Sequence, residues 1–168
     1  EFSKVTDLQM FEQLMAINYL HALYCTHYAL PYLQQSNGFI TVISSIQGIC
    51  PVPYHSGYVA SKYAVEGFFE TLRSEQGKQI EILIARPGWI SGTELKKKAL
   101  SANGAPLGSS GKKRSRSRTI GVVECANAII TAIIQRKKQL YVPKSLAKVS
   151  WLKLLCPGIL NKLIKRAL

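Results

Sequence analysis

Residues 38–62 read GFITVISSIQGICPVPYHSGYVASK, and this stretch decides the fold of the chain. Its first part, 39–43, is an almost unbroken run of β-branched and aromatic side chains, which is typical of a strand covered on both faces in a parallel sheet. Glycine and proline residues over 47–57 predict a loop, and a helix is predicted over 58–76. The stretch therefore predicts a strand, a loop and a helix in succession.

The segments on either side continue this alternation. Apolar residues at helical spacing predict a long helix over 7–34 before the strand. After the helix, residues 80–85 form a second buried run, 122–134 a third helix with an apolar face, and 139–142 a short third strand. Helices and strands in this order predict an α/β fold with a parallel sheet and right-handed crossovers.

Charge is divided unevenly between the two halves of the 168-residue chain. Residues 1–90 contain five bases and seven acids, whereas residues 91–168 contain seventeen bases and two acids. This asymmetry favours an anionic partner for the second half, either a membrane surface or nucleic acid. Because 47% of the residues are apolar, the chain can bury the core of one domain.

Four cysteines are widely separated along the chain: Cys25, Cys50, Cys125 and Cys156. Their spacing argues against a zinc site and against a disulfide scaffold, and it favours free thiols in a reducing compartment. No metal ligands are therefore predicted. No run of 18 apolar residues is present, so no transmembrane helix is predicted either.

Tyr58 and Lys62 stand four residues apart at the start of the predicted helix, so they share one face of it. A phenol titrates near pH 10, and a neighbouring cation lowers that pKa toward the range useful for acid–base catalysis. The spacing alone is weak, because a half-buried tyrosine beside a solvated lysine is the common alternative.

Further polar and turn residues end the two predicted strands. Ser44 and Ser45 follow the first strand, and Pro87-Gly88 follows the second. Ligands of parallel sheets bind beyond the carboxyl ends of the strands, and the loop can return the chain so that Tyr58 lies there. Three separate segments thus predict a site at one edge of the sheet.

The runs Gly38–Ser45 and Tyr58–Lys62, with Arg86-Pro87-Gly88 beyond them, resemble the short-chain dehydrogenase/reductase family over about residues 5–142. Within that family, the sequence most resembles the 11-beta-hydroxysteroid dehydrogenase-like branch. The resemblance implies a Rossmann-type doubly wound parallel sheet. It also implies an oxidoreductase that interconverts an alcohol and a ketone on a lipophilic, steroid-like substrate, with NADP as cofactor and NAD as the alternative.

The resemblance implies catalytic roles for four residues. Tyr58 would be the general acid/base, and Lys62 would lower its pKa and hydrogen-bond the nicotinamide ribose. Ser45 would orient and polarise the substrate carbonyl. Asn18, in the first helix, would hold a water that links Lys62 to solvent, the alternative being a helix residue with a satisfied amide.

It further implies cofactor contacts along the chain after the second strand. Besides Tyr58 and Lys62, the expected contacts are Pro87, Gly88, the backbone of Ile90 and the hydroxyl of Thr93. The family usually carries its threonine one residue earlier, at the position of Gly92.

Two segments of the family have no counterpart in this sequence. These are its glycine-rich turn, which seats the cofactor pyrophosphate on a helix N-terminus, and its Asn-Asn-Ala-Gly-type segment. The expectation is therefore the C-terminal portion of such an enzyme, with the N-terminal half of the fold missing and little or no activity on its own.

The predicted organisation of the chain is a reductase-like part over 1–142 and a basic tail over 143–168. Within the first part, 92–118 resembles the family's variable substrate loop, and its run Lys112–Arg118 resembles a nuclear-localisation or nucleic-acid patch. Without aromatic residues between these bases, a solvated loop is favoured over nucleic-acid binding.

Tryptophan, leucine and lysine alternate in the tail, and Pro157-Gly158 divides it into two short amphipathic pieces. Such pieces suit a membrane surface, at the endoplasmic reticulum or another intracellular membrane, and a packed or dimer-facing C-terminal helix equally. The alternative function is a non-catalytic membrane- or nucleic-acid-binding module on a degenerate reductase scaffold.

Overall fold

The computed structural model of the protein describes residues 2–93 and 119–166. Its helices, in chain order, are α1 (Gln9–Met15), α2 (His21–Gln35), α3 (Ser56–Gln76), α4 (Val122–Ile134), α5 (Ala147–Leu155) and α6 (Pro157–Arg166). Its strands are β1 (Phe39–Ile43), β2 (Glu81–Pro87), β3 (Trp89–Ser91), β4 (Thr119–Gly121) and β5 (Gln139–Val142). The predicted basic loop lies almost wholly outside these described residues, as does its run Lys112–Arg118.

Three of the described strands form a parallel sheet in the order β1-β2-β5. Ile43 lies opposite Ala85, and Ala85 lies opposite Leu140, so the carboxyl ends of the three strands meet at one edge. The three predicted strands and their parallel arrangement are confirmed. β3 and β4 form a separate parallel pair of three residues each, too short to leave a pattern in the sequence.

The core lies on both faces of β2 because successive side chains of a strand point to opposite faces. Ile82 and Ile84 pack on one face against residues of α3 that include Val65 and Phe69. Leu83 and Ala85 pack on the other face against a cluster that includes Cys125 and Ala132 of α4. The sheet is therefore covered by helices on both sides, which explains the nearly continuous apolar run of the strand.

The predicted helix over 7–34 is divided in the structure. A π-helical segment, Ala16–Leu20, joins α1 to α2, and α2 continues past Pro31 to Gln35. A π-helical segment interrupts the regular pattern of helical hydrogen bonds. The spacing of the apolar residues in the sequence does not indicate this interruption. The prediction of one regular helix is wrong in this respect, and the interruption contains Asn18.

Helix α4 is confirmed, but its fully buried residues are small, and of its large aliphatic residues only Ile129 is half-buried against the sheet. Cys125 and Ala132 are buried against the sheet, whereas Val123, Ile130 and Ile134 are exposed. The chain uses its small side chains to bring this helix close to the sheet.

The tail forms the two predicted pieces, α5 and α6, with Pro157 in the first position of α6. Proline suits this position because the missing N–H would have no partner within the helix. In the described part of the chain, no helix combines the length and the hydropathy needed to cross a membrane. The division of the chain at residue 142 stays a prediction.

Replacement of a central core residue should destabilise the fold far more than the same change on its surface. Leu83 is 0% exposed and Ile134 is 77% exposed. Leu83→Ala is expected to lower the free energy of unfolding by about 2–5 kcal/mol, and Ile134→Ala by less than about 0.5 kcal/mol. Urea denaturation followed by circular dichroism measures both; equal losses would contradict the described core.

Candidate active site

Tyr58 and Lys62 lie in the first two turns of α3, beside the carboxyl end of β1. The Nζ of Lys62 donates a hydrogen bond to the backbone carbonyl of Ile43, the last residue of β1, at 3.1 Å. The same Nζ lies 5.8 Å from the centroid of the Tyr58 ring. Since Lys62 is buried, its ammonium is held between helix and strand.

Ser45 brings a hydroxyl to the same place. It follows β1 in an extended conformation and precedes the 3₁₀ turn Ile46–Gly48, where its Oγ accepts a hydrogen bond from the Gln47 backbone N–H at 3.2 Å. Its side chain also hydrogen-bonds Tyr58. The structure thus gathers the predicted serine, tyrosine and lysine at the predicted edge of the sheet.

Burial and the Ser45 hydrogen bond act on Tyr58 in opposite directions. Burial raises the pKa of the phenol because the charged phenolate loses solvation, and the hydrogen bond from Ser45 lowers it. The lowering of this pKa that is expected from Lys62 stays a prediction, and the Lys62 ammonium donates to the Ile43 carbonyl.

The ammonium of Lys62 is itself subject to two opposing effects. Burial lowers the pKa of Lys62, and the carboxylate of Glu66, one turn further along α3, raises it. Glu66 therefore helps to keep the buried ammonium protonated.

Asn18 contacts the site helix through Ser61. Its Nδ2 donates to the Ser61 Oγ at 3.0 Å, and that hydroxyl donates to the Tyr58 carbonyl at 2.9 Å. The π-helical segment thus fixes the first turn of α3. The water-holding role expected for Asn18 stays a prediction.

The expected cofactor contacts begin at the same edge of the sheet. Pro87 ends β2, and the backbone N–H of Gly88 donates to the Val142 carbonyl at 2.8 Å, which ties the segment to the end of β5. Ile90 continues into β3, where it pairs with Ile120. Thr93 is exposed beyond that strand. The roles expected for Pro87, Gly88, Ile90 and Thr93 stay predictions.

Sequence reasoning missed two buried charged residues beside this site, Glu66 and Arg86. The Arg86 Nη2 and the Glu66 Oε2 are 2.7 Å apart. A signal was available, because Arg86 is a charge that directly follows the buried apolar run 82–85 of the strand. Fully buried charges need a partner, so this arginine already implied an acid nearby.

The donors at the edge fit the nicotinamide end of the expected cofactor. An ammonium has three N–H donors, and the Ile43 carbonyl occupies one of those of Lys62. The remaining donors, with the hydroxyl of Tyr58, suit the adjacent hydroxyl groups of a ribose. A phenol and a serine hydroxyl in contact also suit proton transfer to an oxygen atom.

Comparisons with known proteins agree with this geometry. A family model described as short chain dehydrogenase matches residues 1–104. An 11-beta-hydroxysteroid dehydrogenase of Pinus massoniana is 34% identical, with 84% of this chain and 41% of that protein covered. A dehydrogenase/reductase SDR family protein 7-like of Dictyostelium discoideum is 37% identical, with 83% and 42% covered. The chain thus spans less than half the length of these two curated relatives.

Solved structures share the fold at low sequence identity. A short chain dehydrogenase from Burkholderia cenocepacia, in complex with NADP, superposes with a TM-score of 0.76 at 19% identity, covering 95% of this chain and 60% of that one. A short-chain dehydrogenase from Streptomyces avermitilis gives a TM-score of 0.70 at 20% identity, covering 95% and 62%. The expected Rossmann-type parallel sheet is confirmed by these likenesses.

Removal of the Ser45 hydroxyl should raise the pKa of Tyr58 further, because the hydrogen bond that stabilises its phenolate is lost. Ser44→Ala is the matched control, since the buried Ser44 Oγ makes no hydrogen bond within the described residues. Titration of ring-labelled tyrosine by ¹³C NMR, with Tyr58→Phe for assignment, measures both variants. An equal shift in Ser45→Ala and Ser44→Ala would contradict the described hydrogen bond.

Proposed function

Because this chain belongs to the short-chain dehydrogenase/reductase family, we propose that it carries the catalytic residues of an NADP-dependent oxidoreductase that interconverts an alcohol and a ketone. The observation that carries the proposal is the meeting of Ser45, Tyr58 and the buried ammonium of Lys62 at the carboxyl edge of the sheet. The Burkholderia cenocepacia structure is a complex with NADP, which supports the choice of cofactor.

Tyr58 transfers the proton in the proposed reaction. In the reducing direction its phenol donates a proton to the carbonyl oxygen, and in the oxidising direction the phenolate takes it from the alcohol. Bound NADPH supplies the hydride. Burial keeps the pKa of Tyr58 raised, so the phenol holds its proton at neutral pH, as reduction requires.

Ser45 and Lys62 stabilise the charges that develop around this proton transfer. The Ser45 hydroxyl donates a hydrogen bond to the substrate oxygen, which is the atom that gains negative charge. The positive charge of Lys62, 5.8 Å from the phenol ring centroid, favours the phenolate left after the transfer. Asn18 acts on the same helix turn by holding Ser61.

The segment after β2 is the proposed seat of the nicotinamide. Pro87 ends the central strand and Gly88 follows it, at the edge where Ser45 also lies, and Ile90 and Thr93 come next along the chain. Main-chain groups of this segment would orient the ring, with the Thr93 hydroxyl as an additional contact. Lys62 would hold the ribose.

The proposed substrate is a lipophilic alcohol or ketone of the steroid-like class. Its support is the name of the Pinus massoniana relative, an 11-beta-hydroxysteroid dehydrogenase, together with the similarity over 84% of this chain.

Loss of the phenolic hydroxyl should abolish the proposed reaction. Tyr58→Phe is expected to lower kcat for NADPH-dependent reduction of lipophilic ketones by about 10²–10⁴-fold, because the proton donor is gone. The rate is followed at 340 nm with a panel of ketones at saturating NADPH. Tyr63→Phe is the matched control, since the Tyr63 hydroxyl lies on the same helix but accepts a hydrogen bond from Lys153. Equal rates in the two variants would refute the role of Tyr58.

A second proposal concerns the tail: the outer face of α5 and α6 docks on an anionic membrane surface. The inner face packs on the protein, since Leu160 is buried, the Ser150 Oγ lies 2.7 Å from the Tyr141 hydroxyl, and Lys153 donates to Tyr63. The outer face keeps large apolar side chains in solvent: Trp151, Leu154, Leu155, Ile159 and Leu163.

The charge of the tail complements such a surface. Residues 143–168 contain six bases and no acid. Exposed tryptophan and leucine with flanking lysine are the combination that binds the interface of anionic bilayers. Trp151, the tryptophan of this face, is 66% exposed.

Two glutamate substitutions should prevent membrane binding when they are made on this face of the tail. The same number of substitutions on another exposed face should leave binding unchanged. Trp151→Glu/Leu155→Glu is expected to prevent flotation of the protein with phosphatidylcholine/phosphatidylserine vesicles, because it removes apolar contacts and adds repulsion. Val123→Glu/Ile134→Glu, on exposed apolar positions of α4, is the matched control and should float like the wild type. If both double variants float equally well, the tail does not provide the contact.

A further inference from the structure

We propose that the buried Arg86–Glu66 ion pair is a positioning element of the active site, which holds the turn after Ser45 against helix α3. The inference rests on the proposed function, because it concerns the geometry of the same site. The sequence motifs gave Glu66 and Arg86 no role in the site, and the proposed proton transfer does not involve them directly.

The guanidinium of Arg86 is fixed on all three of its nitrogen atoms. Nε donates to the two carboxylate oxygens of Glu66 at 2.9 and 3.1 Å, and Nη2 donates to Glu66 at 2.7 Å. Nη1 donates to the side chains of Gln139 and Tyr141 in β5 at 3.1 and 3.2 Å. Because β2, β5 and α3 all contribute to this cluster, the Glu66 carboxylate has one defined position.

The turn that follows Ser45 lies directly against this carboxylate side chain. A Cβ atom on Gly48 would come within 2.8 Å of the Glu66 Cγ and 3.0 Å of its Oε1. The same atom would come within 2.8 Å of the Ser44 Oγ. The turn therefore has no room to move toward α3, and Glu66 sets the distance between the Ser45 turn and the helix that carries Tyr58.

The charge of Glu66 reaches the site as well. Glu66 lies one helical turn after Lys62, and its carboxylate favours the protonated form of that buried ammonium. Arg86 in turn balances the carboxylate, which is buried away from water. The pair thus acts on both sides of the catalytic group, on the serine turn through packing and on the lysine through charge.

The test compares the two carboxylates that bind the same guanidinium. Glu66 is buried, whereas the Glu70 side chain, 3.1 Å from Arg86, is 55% exposed and is not among the three atoms nearest to a Cβ on Gly48. In Glu66→Gln, amides 45–50 are expected to exchange hydrogen about tenfold faster than in the wild type, as measured by mass spectrometry. In Glu70→Gln, exchange should change by less than about twofold.

Turnover provides the second measurement. Misplacement of Ser45 should lower kcat of Glu66→Gln by about 10–100-fold and leave KM for NADPH within about twofold, because no cofactor contact is removed. Glu70→Gln should keep the kcat of the wild type. A purely structural role would lower the melting temperature of Glu66→Gln without this selective effect on kcat.

A steric variant keeps the inference testable if Glu66→Gln fails to fold. Gly48→Ala should speed exchange of the same amides, since its methyl group meets Glu66, whereas Gly67→Ala is the control, because a Cβ there meets nothing within 4 Å. Unchanged exchange of amides 45–50 in folded Glu66→Gln or in Gly48→Ala overturns the inference. Turnover that is detectable but equal in the wild type and in Tyr58→Phe overturns the proposed function instead, and exchange still decides whether the pair holds the turn.

Discussion

The parallel pairing of β1 with β2 determines where every candidate catalytic group lies. Ile43 stands opposite Ala85, and the backbone N–H of Ser44 donates to the Ala85 carbonyl at 2.9 Å, so the two chains leave the sheet together. Ser45 therefore emerges beside Pro87. The Lys62 ammonium caps the same end of β1 through the Ile43 carbonyl, which fixes α3 to the strand. A shift of one residue in this register would turn the side chains of β1 to the opposite face and separate the serine from the tyrosine.

Burial of charge is the second constraint on this edge. Lys62, Glu66 and Arg86 are all buried, and each loses solvation that its partners must replace. The sequence along α3 and β2 supplies alternating signs, so that the ammonium is next to a carboxylate and the carboxylate is next to a guanidinium. The raised pKa of Tyr58 belongs to the same balance, because a neutral phenol adds no further charge to the buried set.

The predictable part of the structure is the part that rests on local patterns. Strand 39–43, the helix that carries Tyr58 and Lys62, and the gathering of these residues with Ser45 follow from apolar periodicity, turn residues and the rule for parallel sheets. The π-helical segment around Asn18 left no periodic signal. The Arg86–Glu66 pair joins residues 20 positions apart on different elements, which local patterns do not connect. The buried side of α4 also depended on close approach of small residues such as Ala132 rather than on hydrophobic size.

The tail begins beside the proposed site, and this joins the two proposals. β5 ends at the carboxyl edge of the sheet, and the next turn places Leu146 so close to Gly88 that a Cβ on the glycine would lie 2.8 Å from the Leu146 Cδ1. Helix α5 then follows, tied by Ser150 to Tyr141 and through Tyr141 to Arg86. A bilayer bound to the outer face of α5 would therefore lie next to the edge where Ser45 and Tyr58 meet. Because a lipophilic alcohol of the proposed class partitions into a bilayer, the proposed docking would concentrate it beside this edge.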